Sequence, residues 1–104
     1  MSVYAISFRI ADRTTGYGSY DERYTSVVEA TQALTQGRYW EETTSFLVLE
    51  SSHDSSASLA TSIEDLALFD PAVDLLLVIN LSRKGFAVRG KNDDPDVEEI
   101  MAKR

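Results

Sequence analysis

Tyr4-Ala5-Ile6-Ser7-Phe8-Arg9-Ile10 decides the fold class. Tyr4, Ile6, Phe8 and Ile10 alternate with Ala5, Ser7 and Arg9, and this period of two places the first set on one face of a sheet. The β-branched and aromatic types fit a pleated, half-buried surface. A strand with one apolar face needs a second layer against it, and the next segment has the pattern to supply one.

Asp12 to Ser19 carries Gly16, Gly18 and two threonines and reads as a loop. Ser19 with Glu22 three residues later is a capping-box pattern, in which each side chain satisfies a free N–H at a helix start. Tyr20, Tyr24, Val27, Val28, Thr31 and Leu34 then form one amphipathic stripe. Gly37 is placed for a left-handed residue at the helix end. Arg38 to Ser51 is extended in character, with Phe46-Leu47-Val48-Leu49 a buried strand. Thr43 and Thr44 disfavour helix through restricted χ1, and a tight break near Thr43 divides two strands although no Gly or Pro marks it. Burial of that strand predicts that Phe46→Ala costs about 3–5 kcal/mol.

Ser51 to Ser58 is a serine-rich loop ending in helix-capping residues. Leu59, Ile63 and Leu66 are the stripe of a second helix, ended by Asp70-Pro71. Leu75 to Leu81 has few polar residues and reads as a central strand covered on both sides. Ser82-Arg83-Lys84-Gly85 is a hairpin turn with Gly85 able to take positive φ, and Phe86 to Arg89 pairs back. Gly90 to Asp93 is a linker. Asp94-Pro95 opens a last short helix, about residues 95–103, with Val97, Ile100 and Met101 on its apolar side.

The predicted order is β-α-β-β-α-β-β-α. Its first six elements form the split β-α-β plan, an α+β class with both helices on one sheet face, to which a strand and a short helix are added. The reading expects one domain over residues 1–104, with its core over about residues 3–90. The other sheet face is then bare and apolar, and dimerisation through it is the simplest way to cover it.

Composition excludes several chemistries. The chain has 104 residues, 43% hydrophobic and 26% charged, which is neither a disordered tail nor a membrane protein. No apolar run approaches the roughly 20 residues of a spanning helix. No secretory signal is visible at Met1-Ser2-Val3-Tyr4, and with no cysteine the expectation is a cytoplasmic protein without disulfides or thiolate sites. A single histidine, His53, leaves no multi-histidine metal site.

The net charge of −7 argues against a protein whose main work is gripping nucleic acid. Within that average, Ser82 to Lys91 holds Arg83, Lys84, Arg89 and Lys91 and no acid. With Arg9 these are the candidate nucleic-acid or anion-binding residues. Acidic neighbours from Asp93 to Glu99 restrain them.

Ser7-Phe8-Arg9-Ile10-Ala11-Asp12-Arg13 resembles the first-strand motif of the small CRISPR-adaptation proteins of the Cas two kind, a tyrosine, aspartate, isoleucine run followed by small and acidic residues. Ser45-Phe46-Leu47-Val48-Leu49 is similar to the Ser-Val-Phe-type strand of the same family, and the start Ser7-Phe8-Arg9 is similar to the Ser-Phe-Asp start of GhoS-type antitoxins. The resemblance covers about Tyr4 to Val88. It implies a ferredoxin-like fold and a homodimer, with a protein partner, RNA or DNA as what the dimer meets. The family's metal-binding or catalytic aspartate falls at Arg9, where the charge is reversed, and an arginine cannot coordinate Mg²⁺. Asp12 is the candidate catalytic stand-in, a two-fold pair of which could share one metal. Its plain alternative is a turn residue bonding its own backbone.

Trp40-Glu41-Glu42 is the candidate interface or partner segment. Adjacent strand residues point to opposite faces, so Glu41 and Glu42 do not form an acid/base pair, and a charged edge strand is the simpler reading. Trp40 could stack on a base but is more often core or dimer interface. His53-Asp54 among serines lacks a nucleophile elbow and reads as a loop.

Two functions follow. One is a small dimeric interaction or regulatory module tied to toxin–antitoxin or CRISPR-type nucleic-acid processing, with no catalysis and no cofactor. The other is a metal-dependent endoribonuclease or endonuclease using Mg²⁺ or Mn²⁺ at a dimer-interface acidic site.

Overall fold

The capping box at Ser19 is present in both halves: Glu22 N–H donates to Ser19 Oγ at 3.1 Å, and Ser19 N–H to Glu22 Oε1 at 2.9 Å. It starts the first helix of a computed structural model that describes Met1–Arg104 throughout. The elements run β1 (Ser2–Arg9), α1 (Tyr20–Leu34), β2 (Tyr39–Thr43), β3 (Phe46–Ser51), α2 (Ser56–Leu66), β4 (Leu75–Asn80), β5 (Phe86–Gly90) and α3 (Asp96–Met101). The class is α+β. The five strands form one antiparallel sheet in the order β2-β3-β1-β4-β5, so the two strands that α1 connects are separated by β3. No helix is long and apolar enough to cross a membrane.

Period two in β1 does what alternation requires. Tyr4, Ile6, Phe8 and, just beyond the strand, Ile10 are buried with Leu47, Leu49, Leu76 and Val78 of neighbouring strands, and α1 and α2 cover them with Val27, Leu59 and Ile63. Burying each large side chain contributes roughly 1.5–3 kcal/mol. The α2 stripe stops short of Leu66, which is 59% exposed at the helix end. Ser55 caps α2 by accepting the Ser58 N–H at 3.0 Å. The helix ends four residues before Asp70-Pro71, so proline is not its terminator.

The break expected near Thr43 is present, and local chemistry differs from expectation at the glycines. The break between β2 and β3 is the pair Thr44-Ser45, where Ser45 takes φ 60 and donates its N–H to Tyr24 Oη at 3.1 Å. A side chain from α1 thus holds a conformation that usually calls for glycine. Gly37 does not adopt positive φ; a Cβ there would crowd Glu50 Cβ at 2.9 Å. Gly85 likewise is not left-handed, and the turn is instead held by Asn80 Oδ1, which accepts from Ser82 N–H and Arg83 N–H. Positive φ falls instead on Gly18, at φ 141, and on Gly90, at φ 90, where a Cβ would fall 2.1 Å from the Asp74 carbonyl oxygen. The supposed linker therefore starts with a tightly constrained residue.

β4 is second from the sheet edge rather than central. Leu76, Val78 and Asn80 are buried under the helices, while Leu75, Leu77 and Ile79 are half-buried on the opposite face. Phe46 is also on that opposite face and 36% exposed, so the strand's core residues are Leu47 and Leu49. The expected large cost of Phe46→Ala is corrected accordingly: the outward pleat position carries little of the core.

Candidate functional site

The sheet face away from α1 and α2 is the candidate functional surface. Register builds it. Trp40 pairs with Val48, Val48 with Ala5, Ala5 with Ile79 and Ile79 with Phe86, an apolar row that crosses all five strands. At about 4.8 Å per strand the row spans roughly 19 Å. A second row runs Phe46, Ser7, Leu77, Val88. Trp40 is 44% exposed, and its ring meets Phe46 edge-on, with centroids 6.5 Å apart. A bulge between Trp40 and Thr43 puts both on this face, opposite Val48 and Phe46.

The two halves of this face differ. Over β2, β3 and β1 nothing covers it, and a shallow groove there is lined by Val3, Arg38, Trp40, Val48 and Glu50. Over β4 and β5 the chain returns on itself. Asn92 to Ile100 lie against Leu75, Leu77 and Val88, with an apolar cleft of about 270 Å³ left between them. Arg104 then reaches the β4–β5 turn, donating to the carbonyls of Asn80, Arg83, Lys84 and Gly85 at 3.2, 3.4, 2.7 and 2.7 Å.

The residues singled out for charge are dispersed. Arg83 and Lys84 are exposed in the turn at one end of β5, and Arg104 joins them there. Arg89 and Lys91 are at the other end. Arg89 pairs with Glu64 of α2 at 3.0 Å, and Lys91 with Asp93 at 3.2 Å. Arg9 ends β1 on the open face and donates to the Lys91 carbonyl at 3.0 Å. Arg9, Arg89 and Lys91 thus have partners within the chain, and the cations form no single patch.

Glu41 and Glu42 do not work together. Glu41 turns toward α1, where Gln32 donates to it at 3.3 Å, and Glu42 is exposed on the edge strand. Tyr39 shares Gln32, and its phenol is pushed up to about 12 by burial and by the nearby Glu41 carboxylate. Asp12 is exposed in the bend after β1. Within one chain no group of three His, Cys, Asp or Glu side chains could hold a metal ion. His53 Nδ1 lies 2.9 Å from Ser58 Oγ beside a small polar cavity shared with Gln36, Ser52 and Asp54. The His53 carbonyl accepts from Tyr4 Oη at 2.8 Å, which ties this loop to β1. Burial raises the Tyr4 phenol above its ordinary pKa.

The polar centre that sequence reasoning missed is Arg23 with Asp74, both fully buried. Arg23 donates to both Asp74 oxygens at 3.1 Å and to the carbonyls of Ala11, Arg13 and Gly18 at 2.6–3.0 Å. Asp74 also accepts the N–H groups of Ala11 and Asp70. Burial alone would push the Asp74 carboxyl up, but these donors outweigh it and hold it below the ordinary range. Arg23 is raised above its own ordinary value by the Asp74 hydrogen bonds. The arrangement is closed to solvent and saturated, which is an anchor for the loops rather than a reaction centre. One signal was available. Arg23 lies four residues before Val27 and eight before Thr31, on the buried face of α1.

No protein-family model, curated protein or solved structure matches the chain.

Proposed function

We propose that this protein is a ferredoxin-like interaction module that acts as a homodimer through the open face of its sheet. It has no catalysis of its own and serves to hold or regulate a partner in nucleic-acid processing of the toxin–antitoxin or CRISPR type. The observation that carries this reading is the apolar row from Trp40 to Phe86 across a sheet face that α1 and α2 leave uncovered. A second copy is the natural occupant, because such a contact is self-complementary: each copy offers the same apolar rows. Charge adds direction. Arg9 ends the face at one extreme of β1, and Glu50, opposite Val3, stands at the other, so two faces related by a two-fold axis across the strands bring opposite charges together.

The strand-end position at which the resembled family carries its aspartate is Arg9, engaged with a main-chain carbonyl. This supports a binding role and leaves a metal-dependent nuclease with only Asp12 from two copies to work with. The experiment is light scattering over a range of concentrations, for the wild type and Val48→Asp. A dimer that Val48→Asp abolishes supports the module. A monomer at all concentrations refutes it. Mn²⁺-dependent cleavage of RNA or DNA that is lost in Asp12→Ala would replace it with the nuclease.

A further inference from the structure

We infer that residues 92–104 form a releasable strap that keeps the β4–β5 half of the open face closed, with Arg104 as its latch, and that release of the strap completes the surface for a second copy. This rests on the homodimer reading and adds its regulation.

The strap is fixed at its two ends and weakly held between them. At its root Lys91 N–H donates to the Asp74 carbonyl at 2.7 Å, and Arg9 holds the Lys91 carbonyl. At its far end Arg104 alone spans the four turn carbonyls. Between these points α3 is six residues long and buries no residue completely, and its one side-chain cap is the exposed Asp94, whose Oδ1 accepts the Asp96 N–H at 2.9 Å. A helix of that length does not stand by its own propensity in water. Its contact with the sheet is incomplete: Val97 and Ile100 line an open cleft of about 270 Å³ together with Leu75, Leu77 and Val88, and Ile100 is 65% exposed.

Area explains why opening matters. Leu75, Leu77 and Val88 under the strap continue the rows that begin on β2, β3 and β1, so opening extends the apolar surface from three strands to five. A larger continuous apolar face gives a second copy more surface to bury. A strap that opens only part of the time lowers the apparent affinity by the fraction of molecules that are open.

The test uses the full chain with Arg104→Ala and Arg104→Lys, the second keeping the charge but losing the fork that reaches several carbonyls. Hydrogen exchange at a concentration where the protein is monomeric reads the strap. Sedimentation reads self-association. Arg104→Ala is expected to speed amide exchange over residues 96–101 by about tenfold and to tighten the dimer by a similar factor, with Arg104→Lys close behind. Unchanged exchange would show that Arg104 is no latch. Faster exchange with an unchanged or weaker dimer would show that the strap does not gate the face, leaving the homodimer intact as a reading. If neither wild type nor variants associate while exchange still rises, the homodimer reading fails, and the gate falls with it.

Discussion

Arg23 and Arg104 each spread a guanidinium over the carbonyls of a chain turn, in opposite surroundings. Arg23 is fully buried, paired with Asp74, and holds the β1–α1 loop against the segment before β4. Arg104 has no carboxylate partner, lies at the surface and holds the chain's last helix to the β4–β5 turn. The same donor geometry serves a permanent joint in one place and a releasable one in the other. Solvent makes the difference: a buried charge has no alternative partner once its own is lost, whereas an exposed one exchanges carbonyls for water at little cost.

The largest expected effect tests the permanent joint. Arg23→Ala strands the Asp74 carboxylate in the interior and is expected to cost about 3–5 kcal/mol in urea unfolding. A loss below about 1 kcal/mol would show that water reaches the pair. Acid titration probes the same joint. The folded carboxyl of Asp74 titrates below its ordinary value of 3.8, so its contribution is fully present above that pH and is lost as pH falls through the folded value. Stability measured against pH is expected to fall in that window, and Asp74→Asn to flatten the slope there.

The two faces of the sheet can be set against each other through neighbouring residues. Leu49→Ala, on the helix-covered face, is expected to cost about 2–5 kcal/mol. Phe46→Ala, on the open face, is expected to cost about 1 kcal/mol in the monomer, with a larger effect on self-association. Equal losses in dilute monomer would mean that both faces are core. Ser19→Ala removes the α1 cap and is expected to cost about 1 kcal/mol, read by thermal unfolding. The smallest effect is expected from Arg104→Ala, under about 1 kcal/mol in global stability, since its bonds lie at the surface. A loss as large as that of Arg23→Ala would erase the contrast between the two arginines.

Legibility followed the range of the interactions. The capping box needs residues three apart, and the β1 alternation needs only neighbours, so both were readable. The β2–β3 turn was harder, because Ser45 owes its left-handed conformation to Tyr24, twenty-one residues earlier. Arg23 and Asp74 are 51 residues apart and each looks like an ordinary surface charge on its own. The candidate surface was foreseen as a bare face. Its division into an open half and a strapped half was not, because a short amphipathic helix does not say which face it returns to.

From its sequence alone this protein was committed to an α+β layer with alternating strands, two amphipathic helices and a capped α1, since those follow from period, propensity and local hydrogen bonding. Tertiary contact decided which charges are buried, which glycines take positive φ and which half of the sheet its last helix shields. Those outcomes depend on the desolvation and packing of groups brought together only when distant segments close, and a local pattern carries no record of that closure.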